Sequence, residues 1–135
     1  MTKIALLLLL LIAVFLGGFL PERSKVNRLE SDLREARQQA TLAKLRDLSG
    51  LTYIQASQKN YGLASKTNAA FFDLVQELTS QTADAAAKKQ YEEMLSKREK
   101  IAAQIAKGDA EVMNDLHPLY LKTQQTNQNS NRAPN

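Results

Sequence analysis

The seventeen residues from Ile4 to Leu20, "IALLLLLLIAVFLGGFL", carry no charge and no polar side chain. As a helix they would reach roughly 25 Å, close to the ~30 Å hydrocarbon core of a bilayer. Lys3 and Arg23 flank the run, and their long side chains can reach the headgroups and make up the difference. The run is apolar on every side, which does not suit a helix lying flat on a membrane. A chain of 135 residues has too small a core to bury such a segment easily. The sequence therefore predicts a retained membrane span through Ile4, Leu8, Ile12, Leu16 and Leu20, within a signal-anchor at residues 1–22.

The competing reading is a cleaved export signal. A basic start followed by an apolar run fits it, but the small-residue pair required at a cleavage site does not. Leu16-Gly17-Gly18 is the nearest approach, and Leu16 is a poor match. Orientation is pulled two ways. Arg23, Lys25, Arg28, Arg34 and Arg37 follow the span, and the excess of positive charge favours keeping that side in the cytoplasm. A short basic N-terminus ahead of an apolar run favours export of the C-terminal part. The acidic residues Glu22, Glu30 and Asp32 dilute the positive flank and tip the reading toward export. The expected location is a bacterial inner membrane, single-pass, with the C-terminal part outside the cytoplasm.

Beyond the span the chain is rich in Ala, Leu, Gln, Glu, Lys and Arg, all good helix formers. A heptad stripe runs through Val26, Leu29, Leu33, Ala36, Ala40 and Ala43, with charged residues between. It then shifts to Leu42, Leu45 and Leu48, and Gly50 suggests a helix end or a stutter. A second stripe passes Ile54, Ser57, Tyr61, Ala64, Asn68, Phe71, Val75 and Leu78. Asn68 falls where an apolar residue is expected, as a register-fixing polar group would. Thr82 or Asp84 can cap a third helix, whose stripe is Ala87, Tyr91, Met94, Arg98, Ile101 and Ile105. Gly108 should end it and Asp109 begin a short fourth helix, with Pro118 kinking or ending that helix. Residues 123–135 have little to bury and read as a disordered polar tail.

The expected fold class is all-α: one N-terminal transmembrane helix, then a coiled-coil-like helical hairpin or small helical bundle at residues 23–122. The candidate helix–helix interface comprises Val26, Leu29, Leu33, Ala36, Ala40, Tyr61, Asn68, Phe71, Val75, Leu78, Tyr91, Ile101 and Ile105. The first stripe is narrow and Ala-rich, so a partner chain should help cover it, most simply a second copy. In architecture alone the plan resembles division-complex coiled-coil proteins and phage inner-membrane spanins, and no motif carries residues over from either.

Chemistry is hard to place on this chain. There is no Cys, which excludes thiolate metal sites, thiol nucleophiles and disulfides. The lone His117 has Asn114, not Glu, three residues before it, unlike the Glu-x-x-His pair of helical metal sites. No nucleophile motif is present. The net charge of +4 comes from interspersed signs, which does not suit a nucleic-acid surface. No catalytic residue, cofactor or metal is expected. The expected partners are the lipid bilayer and either a second copy or another helical protein. The leading functional reading is a membrane-anchored interaction or scaffold protein acting through coiled-coil association. The alternatives are a membrane-tethered four-helix sensory bundle with a ligand pocket near Tyr61 and Phe71, and a secreted helical protein after signal cleavage.

Overall fold

The protein is described by a computed structural model covering the backbone of residues 2–130 and the side chains of residues 25–126. Among the described residues there are five helices and no strand: α1 (Thr2–Ser57), α2 (Tyr61–Gln81), α3 (Ala85–Leu95), α4 (Arg98–Lys107) and α5 (Val112–Ser130). The chain divides into two compact units, Met1–Gln38 and Gln39–Asn135, and the boundary falls inside α1. The expected span at Ile4, Leu8, Ile12, Leu16 and Leu20 lies outside the residues whose side chains are described. Among the described residues no helix is long and apolar enough to cross a membrane.

The all-α expectation holds, but several helix boundaries move. At Gly50, read as a helix end or a stutter, the helix continues, and the break falls at residues 58–60. Gly50 stays helical because it serves as a notch: a methyl group there would stand 3.3 Å from the Tyr120 ring. The turn is built without glycine. Lys59 takes a left-handed backbone (φ 58°), and Asn60 caps α2 by accepting from the Leu63 N–H. This break separates Ile54 and Ser57 from the stripe they were assigned to, and both are exposed.

Asp84, one of the two expected caps, accepts from the N–H groups of Ala86 and Ala87 and starts α3. The expected single third helix is interrupted between Leu95 and Arg98. Ser96 and Lys97 keep near-helical backbone angles, and Lys97 donates to the Met94 carbonyl three residues back. This tightened turn redirects the chain without Gly or Pro, so composition gives no warning of it. Gly108 ends α4 in the left-handed conformation (φ 66°) against the Tyr61 ring.

Helix α5 corrects the expected tail. It runs through Pro118 and on to Ser130. Val112, Leu116, Leu119, Thr123 and Thr126 are all buried, a 4-3-4-3 spacing that lines one helical face. Thr is compatible with such a face because its hydroxyl can bond back to its own helix. Thr126 does so to the Lys122 carbonyl at 3.0 Å. Residues 131–135 lie outside the described part.

The core of the second unit is formed by Leu45 and Ala56 of α1, Ala64, Phe71, Phe72 and Val75 of α2, Tyr91 and Met94 of α3, Ile101 and Ile105 of α4, and Val112, Leu116 and Leu119 of α5. The rings of Phe71 and Phe72 meet edge-on at 5.0 Å, a favourable aromatic geometry.

Candidate interaction surfaces

The candidate interface residues separate into two groups. Phe71, Val75, Tyr91, Ile101, Ile105 and Asn68 are buried, and Tyr61 and Leu78 are half-buried. These cover the helices of the bundle itself. Tyr61 packs its ring beside Gly108, and Phe71 is only 1% exposed. The pair expected to line a ligand pocket is therefore used in packing.

The second group is the stripe on α1. Val26 is 53% exposed, Leu29 67% and Leu33 51%, and Ala36 and Ala40 are exposed as well. From Leu42 onward α1 follows a different register. Leu42, Leu45, Ser49, Thr52 and Ala56 are buried at 3-4-3-4 spacing, the seam that packs into the bundle. Val26, Leu29, Leu33, Ala36 and Ala40 are thus apolar at strict a and d positions and exposed among the described residues.

The α1 seam meets α5. The Ser49 and Thr123 hydroxyls lie 2.8 Å apart and are both buried. Each also reaches a carbonyl of its own helix, Arg46 for Ser49 at 2.8 Å and Tyr120 for Thr123 at 2.7 Å. Each hydroxyl has one proton to donate, so two protons serve three short contacts. Nearby, Tyr53 stacks on Tyr120 at 6.1 Å and lies 5.7 Å from His117. With residue 49 against 123 and residue 53 against 117 and 120, the two segments run antiparallel. The sequence reading missed this seam because Ser49, Thr52, Thr123 and Thr126 are polar; their 3-4 spacing was the one signal that could have found it.

An open cleft of about 390 Å³ lies on this side, lined by Arg46, Asp47, Gly50, Leu51, Ile54, Tyr120 and Gln124. Neither Tyr61 nor Phe71 borders it. Arg46 pairs with Asp47 at its edge at 3.1 Å.

Ion pairs tie the helices at the surface. Arg98 donates to Asp73 at 2.8 Å, joining α4 to α2. Lys100 meets Asp115 at 2.7 Å, joining α4 to α5. Lys122 donates to Glu93, joining α5 to α3. The Lys100 hydrogen bond holds the Asp115 carboxyl below its ordinary range, and the Lys122 hydrogen bond and charge do the same for Glu93. Burial pushes the Tyr91 phenol up, with the negative charge of Asp84 adding to it. Among the described residues no cluster of His, Asp or Glu is arranged to hold a metal ion.

Comparison with family models, with curated proteins and with solved structures returned no match.

Proposed function

We propose that the protein is a single-pass, membrane-anchored helical interaction protein, without catalytic chemistry, that acts by coiled-coil association through α1. The anchor in this reading is Ile4–Leu20, seated in a bacterial inner membrane with the C-terminal bundle on the extracytoplasmic side. The observation that carries the reading is the exposed stripe of Val26, Leu29 and Leu33, each more than half exposed. Such residues at a and d spacing are stabilised when a second helix covers them. Tethering to a membrane raises the local concentration of partners, so even a narrow, Ala-rich stripe can pair.

Two measurements test it on the full-length chain. Membranes washed with alkaline carbonate should retain the protein; release into the supernatant would return the secreted alternative. Light scattering in mild detergent should give more than one chain per micelle or a stable complex with another protein. A chain that is monomeric and partnerless under those conditions overturns the reading.

A further inference from the structure

We infer that the partner covering the α1 stripe is a second copy of this chain, aligned parallel and in register over residues 25–44. The inference rests on the association reading and adds the identity and direction of the partner. With Val26, Leu33 and Ala40 at a and Leu29 and Ala36 at d, the flanking g positions are Lys25, Asp32 and Gln39, and the e positions are Glu30, Arg37 and Lys44. In a parallel dimer each g residue faces the e residue five places further along the other helix. Lys25 then faces Glu30 of the second copy, Asp32 faces its Arg37, and Gln39 faces its Lys44. The first two are opposite charges, the third is neutral against positive, and none is a like-charge pair. By symmetry each attraction occurs twice.

An antiparallel pairing that sets Leu33 against Ala36 of the second copy changes the flanks to g against g and e against e. Glu30 still finds Arg37, but Lys25 now faces Arg46, a like-charge pair that also occurs twice. Charge complementarity therefore favours the parallel arrangement over this antiparallel one. Two anchors inserted in the same direction in one bilayer favour the same alignment. The a and d layers are small toward the C-terminal end, where Ala36 and Ala40 allow close approach, and larger at Val26, Leu29 and Leu33.

The natural chain has no cysteine, so a single substitution introduces the sole thiol and the full-length protein can be cross-linked in its own membrane. Leu29→Cys and Leu33→Cys should each form a covalent dimer under mild oxidation, because parallel a and d layers bring identical residues within disulfide range. Ser31→Cys and Gln38→Cys, at the outward f positions, should react at least about tenfold more slowly, since disulfides demand Cβ atoms about 3.5–4.5 Å apart. Asp32→Arg should weaken the dimer several-fold, and adding Arg37→Asp should restore it. All these sites are exposed, and unchanged helical content by circular dichroism checks that each variant is folded.

Equal cross-linking at f and at a or d positions overturns the inference. So does cross-linking only in a mixture of Leu29→Cys with Ala40→Cys, which marks an antiparallel pair and leaves the association reading standing. An oligomeric protein with no cross-link at Leu29→Cys or Leu33→Cys also removes the second-copy interface while sparing that reading. A strictly monomeric full-length chain removes both.

Discussion

Asn68 places an amide on the buried face of α2. The residue is 3% exposed and its Oδ1 has no hydrogen-bond partner among the described residues. A buried acceptor without a partner is unfavourable, by about 1–3 kcal/mol. Asn68→Leu, which keeps the branched shape and removes the unpartnered acceptor, should therefore raise stability by about 1 kcal/mol in urea unfolding. A loss of stability instead would mean that the amide holds the packing register in place. The glycines give a second contrast at this scale. Nothing stands within 4 Å of a methyl group added at Gly62. Gly62→Ala should stabilise by about 0.5–1 kcal/mol by removing unfolded-chain freedom and restoring helix propensity. Gly108 has a left-handed backbone, and a methyl group added there would stand 3.4 Å from the Tyr61 ring. Gly108→Ala should destabilise by about 1 kcal/mol or more. Thermal or urea denaturation of the two variants should move in opposite directions.

Among the elements, α5 departs most from its sequence signal. Its last apolar residue on the buried face is Leu119, yet Thr123 and Thr126 continue that face. A polar stretch such as "TQQTNQNS" reads as solvated because hydroxyls and amides usually are. What makes it helical here is the neighbour: Ser49 of α1 presents a hydroxyl opposite Thr123, so the seam accepts polar groups that satisfy one another. Ending the chain after Lys122 should lower stability by about 1–2 kcal/mol through lost packing and hydrogen bonding. A free tail would leave the urea midpoint unchanged. Gly50→Val tests the same seam from α1: the added side chain must displace the Tyr120 ring, at a loss of about 1–3 kcal/mol.

At the scale of the whole molecule, ion pairs between helices give stability a pH profile. Asp115 and Glu93 titrate lower in the folded chain than unfolded. Their contribution is complete above the ordinary carboxylate range of about 4 and is lost as pH falls through the folded values. Tyr91 titrates higher when folded, so its contribution is complete below about 10 and is lost as pH rises beyond it. Chemical denaturation should accordingly give a plateau near neutrality with a decline at each end. Asp115→Asn should lower the plateau by about 0.5–1 kcal/mol and flatten the acid decline. An unchanged acid limb would mean that the Lys100–Asp115 pair does not persist in solution.

The sequence alone was enough to point to helices throughout, to Gly108 as a helix end, to Thr82 or Asp84 as a cap, and to the buried stripes of residues 61–78 and 87–105, because large apolar residues at helical spacing have one low-energy way to leave water. It also marked Val26, Leu29 and Leu33 as one stripe. It could not say which stripe the chain covers by itself, since a heptad pattern looks the same whether its partner is intramolecular or a second molecule. Tertiary structure decided that: the bundle takes α1 from Leu42 onward and leaves the earlier stripe exposed. Tertiary structure also made Gly50 a packing notch within a continuous helix and buried Thr123, because in both cases the deciding energy comes from a residue more than sixty positions away in the chain.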